Sequence, residues 1–370
     1  MTYDFAVIGA GVFGAWTAWH LRQLGHSVLL ADAWGPGNSR SSSGDETRIT
    51  RLGYGRDSIY TRMARQSLTQ WKALGERSGQ QFFLPTGALW IARHSNLYSR
   101  ATEDTLRAED APFEAISMGD IERRFPAFKI PYRDTYGIYE PESGVLMARR
   151  AVAAVVDEAV RAGVEYVRAS IEPVAPKVSA GAYLYACGPW LPKLFDRILE
   201  HRIFVTRQEV FYFALPAGDD RFSPARMPVW LDFTDDRTPY GFPDIETRGI
   251  KIAFDRHGPR FDPDTGDRRV TMRSVDAARA FLAERFYGLD SVTLTETRVC
   301  QYSNSPNGDF LIDRHPTRDN VWLIGCGSGH GFKHGPAIGE YTAQVATGRR
   351  EPEPRFSLAS KPNMPRRTVY

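Results

Sequence analysis

Cysteine is scarce in this sequence. Its 370 residues include three, Cys187, Cys300 and Cys326, and no two of them form a Cys-x-x-Cys pair or lie beside a histidine cluster. Three cysteines cannot build a disulfide framework, and their spacing matches no zinc site. The sequence therefore predicts a protein without a metal that works in a reducing compartment, the cytoplasm.

Long apolar runs and blocks of like charge are also missing. No stretch reaches the roughly 18 apolar residues of a transmembrane helix, and the first predicted strand begins so near Met1 that no signal peptide fits before it. The 47 basic and 44 acidic side chains nearly balance, giving a formal net charge of +3, and no charge run follows a phosphate backbone. We expect neither a membrane nor a nucleic acid as a partner.

A nucleotide-binding pattern opens the chain. Residues 3–32 have the pattern of a buried strand, a glycine turn, a helix and a second buried strand. Gly9, Gly11 and Gly14 form the Gly-x-Gly-x-x-Gly turn, and Asp32 ends the second strand. In such a unit the glycines permit a tight turn, approach of a pyrophosphate and close helix packing, while the acidic residue accepts hydrogen bonds from a ribose. The pattern predicts dinucleotide binding, with a glycine-rich helix cap as the alternative, and does not separate NAD from FAD.

The remaining pattern predicts two interleaved domains in an α/β (α+β) protein. An α/β pattern returns in the middle and near the end of the chain, and mainly β segments lie between. Because 370 residues exceed one ordinary core, we expect a Rossmann-type nucleotide domain and a second, mostly antiparallel β-sheet domain that holds the substrate. The predicted bounds are 1–81, 139–202 and 299–350 for the first domain, 82–138 and 203–298 for the second, and 351–370 for a surface tail.

Nine segments, spread over nearly the whole chain, resemble the monomeric sarcosine oxidase and N-methyltryptophan oxidase branch of the glycine/D-amino-acid oxidase family. They occur in the family's order and at similar separations. The segments are GAGVFGAWTAWHLRQLGHSVLLAD, GDETRITRLGYG, LPTGALW, YEPESGVL, ACGPW, YGFPD, GIKIAF, RVCQYSNSPNGDFLID and NVWLIGCGSGHGFKHGP.

This resemblance implies an FAD-dependent oxidoreductase. It would oxidise the C–N bond of a small carboxylate-bearing amine, an N-alkyl or cyclic secondary amino acid. Hydride would pass to flavin N5, the imine would hydrolyse in water, and O2 would reoxidise the flavin to give hydrogen peroxide. The family also implies a Rossmann-type FAD domain, a mostly antiparallel substrate domain and a monomer.

The resemblance also implies which residues bind FAD. Cys300 matches the cysteine that bonds covalently to the flavin 8-methyl carbon, whereas Cys187 and Cys326 are expected to be inert. The implied cofactor-binding residues are Gly9, Gly11, Val12, Phe13, Gly14, Asp32, Ala33, Ser42, Ser43, Thr47, Arg48, Gly188, Trp190, Cys300, Gly327, Gly329, His330, Gly331, Phe332 and Lys333.

Four cationic side chains are candidates for the chemistry. By resemblance, Arg48 lies beside the flavin ring, and Lys251 lies over the N5 region and helps oxygen accept electrons. Arg51 and Lys333 would hold the substrate carboxylate. From the residues alone, Arg48 and Arg51 could share a helical face, and a guanidinium suits a carboxylate. The plain alternatives are two solvated arginines and an exposed lysine in the strand GIKIAF.

Tyr240 and Tyr302 are expected to line the substrate cavity, and Tyr302 and Asp255 complete the catalytic candidates. Asp255 stands where sarcosine oxidases have a histidine near the substrate amine, and Gly44 replaces a histidine before the arginine motif. The segment between 169 and 183 is shorter than in the family. These departures leave the substrate open, and an acidic group at 255 could accommodate a cationic or hydroxyl-bearing side chain.

Three alternative functions remain open at this point. They are an FAD-dependent amine dehydrogenase with another electron acceptor, a non-catalytic flavin-binding subunit of a larger complex, and an NAD-dependent dehydrogenase. A non-catalytic subunit would not need Arg51, Lys333 and Lys251 together, because it binds no substrate. An NAD enzyme has no use for the Cys300 and SGHGFK segments.

Overall fold

The computed structural model describes residues 2–361, which form three sheets and nine α-helices. The strands are β1 (Tyr3–Ile8), β2 (Val28–Ala31), β3 (Thr47–Thr50), β4 (Phe83–Leu84), β5 (Ala88–Arg93), β6 (Glu114–Ser117), β7 (Thr135–Glu140), β8 (Gly144–Met147), β9 (Glu165–Val167), β10 (Ala180–Tyr185), β11 (Phe204–Phe213), β12 (Val229–Phe233), β13 (Pro239–Phe242), β14 (Ile250–Phe254), β15 (Leu294–Asn304), β16 (Leu311–His315) and β17 (Arg318–Gly325). The helices are α1 (Val12–Gln23), α2 (Ser58–Ser78), α3 (Leu97–Ala108), α4 (Met118–Arg124), α5 (Ala148–Arg161), α6 (Leu191–Leu194), α7 (Asp196–Leu199), α8 (Met272–Arg285) and α9 (Gly335–Ala346).

A six-stranded sheet has the order β16-β17-β10-β1-β2-β9 and is parallel except at the β16–β17 pair. Phe5 and Val7 of β1 belong to one core cluster, and Ala6 and Ile8 belong to another. This alternation shows that both faces of the strand are covered, as the uninterrupted apolar run predicts. Helices α5 and α9 pack against α1.

An eight-stranded sheet has the order β15-β11-β14-β13-β12-β5-β7-β6 and is antiparallel except between β5 and β12. One face packs against α8 through a second apolar cluster that contains Ile250 and Ile252 of β14. The side chain of Lys251 lies on the opposite face, because side chains alternate along a strand. That face is turned toward the parallel sheet and holds the site described below.

The predicted mixed α/β fold class, with a Rossmann-type unit and a mostly antiparallel sheet, is confirmed. All strands of the six-stranded sheet fall within the segments predicted for the nucleotide domain, whereas β7 and β15 run across the predicted boundaries at 138 and 298. A third sheet has the order β3-β8-β4, and in sequence its strands lie between strands of the two larger sheets.

Residues 351–361 pack against the core instead of lying only over the surface. Phe356 and Leu358 are buried, and the guanidinium of Arg355 pairs with Asp57 at 2.5 Å and with Asp309 at 3.3 Å. The rest of the predicted tail, 362–370, lies outside the described residues.

Candidate active site and cofactor cavity

A cavity of about 610 Å³ opens at the carboxyl edge of the parallel sheet. The turns after β1, β2, β10 and β17 meet there, because parallel strands end at the same edge. Sixteen of the predicted cofactor-binding residues line the cavity: Gly9, Gly11, Val12, Phe13, Asp32, Ala33, Ser42, Ser43, Arg48, Gly188, Trp190, Cys300, Gly327, Gly329, Gly331 and Phe332.

The glycine turn needs its glycines for two physical reasons. Gly9 has φ +104°, which a side chain rarely adopts, and a Cβ there would lie 2.4 Å from the Ala186 oxygen. A Cβ on Gly14 would lie 1.8 Å from the Gly9 oxygen, so only glycine lets α1 pack this closely on the turn. Gly14 therefore supports the cavity without lining it.

The start of α1 is suited to an anion. Its N-cap residue is Gly11, which has no side chain to cap the helix. The Val12 amide donates to Ser43 Oγ at 3.2 Å, and the positive dipole end of the helix suits a phosphate. Asp32 fixes the facing loop, because its carboxylate accepts hydrogen bonds from the backbone amides of Ala10, Trp34 and Gly35 at 2.7 to 2.8 Å.

Two polar atoms of the cavity wall have no partner among the described residues. Gln301 Oε1 and Ser303 Oγ are buried and unpaired, although both residues line the cavity. Buried polar groups almost always have partners. The unpaired atoms, the glycine turn and the size of the cavity fit a bound dinucleotide such as FAD.

Three predicted cofactor residues besides Gly14 lie outside this lining. Thr47, His330 and Lys333 line a smaller chamber of about 70 Å³. Their binding to the cofactor stays a prediction. The chamber adjoins the cavity, since Arg48, Cys300, Tyr302, Gly329 and Phe332 line both.

The chamber brings together the side chains predicted for substrate binding and catalysis: Arg48, Arg51, Tyr240, Asp255, Tyr302 and Lys333. Lys251, the remaining catalytic candidate, lies against its wall through bonds to Asp45 and Thr47, which line the chamber. Residues nearly 300 positions apart in sequence therefore surround one small volume.

Two buried cations lie at one end of the chamber. The Arg51 guanidinium donates to the Gly53 oxygen and lies 4.3 Å from the Tyr54 ring centroid and 4.8 Å from that of Trp90. Lys333 Nζ donates to the His330 oxygen at 3.1 Å. Burial, reinforced by the Arg51 charge, holds the pKa of Lys333 well below its usual range. A bound anion would raise the pKa of Lys333 again and so favour its protonated form.

The helical face predicted for the two arginines is wrong. Arg48 lies in strand β3 and Arg51 follows its end. A helix is excluded because β3 pairs with β8 through residues 47–50. Both arginines still line the chamber.

Asp255 is the acidic group of the chamber. It follows β14, and its Oδ1 accepts a hydrogen bond from the Tyr302 hydroxyl at 3.3 Å. Burial raises the pKa of this carboxyl to about 7, and the charges of Arg51 and Lys333 only partly oppose the rise. Near neutral pH the group is therefore poised to give or take a proton.

Lys251 is buried, which excludes the plain alternative of an exposed strand lysine. Its Nζ donates to Asp45 Oδ2 at 2.6 Å, to Thr47 Oγ1 at 2.9 Å and to the Thr47 oxygen at 3.0 Å. Burial lowers the pKa of Lys251 to about 8, and the attraction of Asp45 limits the fall.

Cys300 lies where the two spaces join. Its Sγ is 3.6 Å from Arg48 Nη2, and the side chain is partly exposed to both spaces. The other two cysteines match the expectation of inert thiols, since burial raises the pKa of Cys187, and that of Cys326 to about 12.

Sequence reasoning missed several wall residues. Asp45 is the most consequential, because it binds both Lys251 and Arg48. The short segment 168–172 also lines the cavity, where the described chain has no strand between β9 and β10. Only the position of Asp45 in the segment GDETR could have pointed to it, and nothing in the sequence indicates its contact with Lys251.

Residues 2–361 contain no group of three or more His, Cys, Asp or Glu side chains arranged to hold a metal ion. None of the helices in this part of the chain is long and apolar enough to cross a membrane.

Comparison with known proteins identifies the family. The model of the DAO family, described as FAD dependent oxidoreductase, matches residues 4–345. Monomeric sarcosine oxidase from Streptomyces avermitilis is 31% identical over 93% of this chain and 94% of its own length. N-methyl-L-tryptophan oxidase from Yersinia pestis is 26% identical over 97% and 99%.

A solved structure of similar shape is that of L-proline dehydrogenase from P. horikoshii. It matches with a TM-score of 0.82 over 96% of this chain and 97% of that protein, at 18% identity, which bears on the fold alone. The family match covers most of the chain and both spaces of the site, and it excludes the NAD-dependent alternative. This chain belongs to the DAO family of FAD-dependent oxidoreductases and is an enzyme.

Proposed function

We propose that this enzyme oxidises the C–N bond of a small amine that carries a carboxylate, an N-alkyl or cyclic secondary amino acid. The observation that carries the proposal is the chamber beside the cofactor cavity, in which two buried cations, Arg51 and Lys333, face one carboxyl group, Asp255. Such an arrangement complements a substrate with a carboxylate at one end and an amine at the other.

The cations at the Arg51 end bind and orient the substrate. A guanidinium can hold a carboxylate with two parallel hydrogen bonds, and the carboxylate's charge favours the protonated form of Lys333. The chamber of about 70 Å³ admits only a small substrate without rearrangement. Its aromatic wall, with Tyr240, Tyr302 and Phe242, excludes water from the amine.

Asp255 receives a proton from the substrate ammonium. An amine must be neutral before it gives up hydride, and a carboxylate with a pKa near 7 can take that proton at physiological pH. Tyr302 holds the carboxylate in place through its hydroxyl. Bound FAD supplies the redox chemistry by accepting the hydride equivalent.

Arg48 supplies positive charge where the two spaces join, and Lys251 supplies it behind Asp45 and Thr47 in the chamber wall. These charges would stabilise the first reduced oxygen species electrostatically. We therefore propose O2 as the acceptor and hydrogen peroxide as the product. A dehydrogenase with another acceptor is the second candidate, because all three protons of the Lys251 ammonium already have protein acceptors.

A covalent link from Cys300 to the flavin 8-methyl carbon is also proposed. Its support is the position of Sγ at the junction of the cavity and the chamber, beside the Arg48 guanidinium. The bond replaces one S–H and one C–H bond, and the two electrons released go to the flavin and then to its acceptor.

The remaining expectations stay proposals of the same kind: the assigned site residues, the domain bounds, a monomer and a cytoplasmic location. A non-catalytic flavin-binding subunit is disfavoured, because it would keep buried charges such as Arg51 and Lys333 at a cost in stability with no substrate to bind.

A panel of amines tests the proposal. The purified holoenzyme is mixed with N-methyl amino acids, cyclic imino acids and primary amino acids, and each is scored for peroxide with oxygen and for loss of flavin absorbance without it. Bleaching without peroxide supports the dehydrogenase alternative. No bleaching by any carboxylate-bearing amine contradicts the proposal.

A further inference from the structure

Asp45 lines the chamber and lies between two cations, Lys251 and Arg48. Its Oδ2 accepts from Lys251 Nζ at 2.6 Å and from Arg48 Nη1 at 2.7 Å. The carboxylate is 5% exposed, so water does little to screen these contacts. One buried anion thus serves two buried cations.

The Lys251 ammonium is held by a complete set of acceptors. Its three protons go to Asp45 Oδ2, Thr47 Oγ1 and the Thr47 oxygen, and a lysine has three to give. We call Asp45 and Thr47 the lysine cage. The cage fixes the place of the charge and leaves no N–H for another ligand.

The surroundings of the cage contain other charges and rings. Arg48 approaches from β3 and Cys300 from β15, while the Phe242 and Tyr212 ring centroids lie 4.5 and 5.7 Å from Nζ. Beyond Asp45, Arg298 lies 3.9 Å from Oδ1, and the Arg298 guanidinium also pairs with Glu46 at 3.2 Å. Asp45 is the one carboxylate among the described residues that bonds Lys251 directly.

We propose that Asp45 is a positioning residue that keeps Lys251 protonated at the wall of the chamber beside the flavin cavity and reduces the net charge there from two positive charges to one. This inference rests on the proposed role of Lys251 in electron transfer to oxygen. Asp45 would act through Lys251, without touching the substrate.

The physical reason is that Lys251 is the weaker of the two cations. Arginine keeps its proton under all ordinary conditions, so a buried lysine beside Arg48 is the group that becomes neutral when the anion is lost. An opposite charge within about 4 to 6 Å changes a pKa by roughly 1 to 3 units. Asp45 is itself held ionised, because the attraction of Lys251 and Arg48 outweighs the effect of burial and lowers its pKa.

The test is the pH dependence of flavin reoxidation in the holoenzyme, followed after reduction by substrate. In the native enzyme the rate should fall as Lys251 loses its proton, near pH 8. Asp45→Asn should move this midpoint down by about 1 to 3 pH units. Glu46→Gln is the matched control, because it removes a neighbouring buried carboxylate that does not bond Lys251.

A second readout does not depend on oxygen. The Lys251 side chain is titrated by NMR in holoenzyme labelled at the lysine ε-carbons, with its signal assigned by its loss in Lys251→Met. A Lys251 midpoint that falls in Asp45→Asn and stays unchanged in Glu46→Gln supports the proposal. If the midpoint falls but the pH dependence of reoxidation does not change, the proposed role of Lys251 toward oxygen is refuted, whereas the role of Asp45 is still supported. An unchanged Lys251 midpoint in Asp45→Asn, or an equal shift in Glu46→Gln, overturns it.

If Asp45→Asn gives no folded holoenzyme, Thr47→Val takes its place. This substitution removes one acceptor of the cage with little change of shape and leaves Asp45 present. A smaller downward shift of the Lys251 midpoint is expected. A fall as large as the roughly 1 to 3 units expected from loss of the carboxylate would show that Thr47, and not Asp45, keeps Lys251 protonated, and the proposal would fail.

Discussion

Asp255→Asn removes one ionisable group from the chamber and changes its shape very little. In the native protein, burial raises the pKa of this carboxyl from 3.8 to about 7. A carboxyl with a raised pKa holds its proton more tightly in the folded chain, so folding stability is lost as pH rises from about 4 to about 7 and then levels off. About three pKa units at roughly 1.4 kcal/mol each set the total loss at about 4 kcal/mol.

The assay compares urea unfolding of the native protein and the variant at pH 5 and pH 8. From pH 5 to pH 8, the free energy of unfolding of the variant should rise by about 2 to 3 kcal/mol relative to that of the native protein, because only the native carboxyl ionises over that range. Other titrating groups cancel in the comparison. A stability difference that is independent of pH would refute the raised pKa of Asp255.

The same substitution has a kinetic consequence. In the native enzyme, kcat/KM should rise as pH passes about 7, when Asp255 becomes the carboxylate that accepts the substrate proton. In Asp255→Asn this rise should be absent. If the rise persists unchanged, another group takes the proton.

Four further substitutions test the other assignments. Cys300→Ser should release FAD on acid denaturation while the native protein retains it, and free flavin recovered in full from the native protein would rule out the link. Arg51→Ala and Lys333→Ala should each weaken substrate binding by about 1.5 to 3 kcal/mol with normal flavin content, and an unchanged Kd in both would remove them from the site. Lys251→Met should slow flavin reoxidation on the order of 10²-fold and reduction far less in stopped-flow measurements; equal slowing of both steps would leave Lys251 only a supporting role.

Local patterns were enough to predict the parallel half of the fold. The apolar runs of β1 and β2 and the glycine turn between them determine a βαβ unit by short-range rules. Helix α5 ends at Arg161, shortly before Gly163, whose φ of +100° favours glycine. Such features depend on neighbours in sequence and are therefore predictable.

The features that sequence could not predict depend on distant contacts. The spacing of Arg48 and Arg51 allowed a shared helical face, yet the pairing of β3 with β8 places Arg48 in a strand. Lys251 could have been an exposed strand lysine, and only the packing of β3 against the eight-stranded sheet buries it beside Asp45. No local pattern reports a contact between residues 206 positions apart.

The acidic group of the chamber was predictable from the sequence, but its pKa was not. Asp255 was singled out by its departure from the resembling family, but its raised pKa follows from burial, which the sequence does not contain. Thr47, His330 and Lys333 were assigned to the cofactor, and they line the chamber that adjoins the cofactor cavity, so this assignment stays a prediction.

We expect the chamber to recognise a carboxylate-bearing amine next to bound FAD. The measurement that tests it most directly is anaerobic bleaching of the flavin by an N-methyl amino acid and by the matching amide, which lacks only the negative charge. We expect rapid bleaching by the acid and a loss on the order of 10-fold or more in kred/Kd with the amide, because one charge-assisted hydrogen bond is removed. Equal bleaching by the two compounds would contradict it.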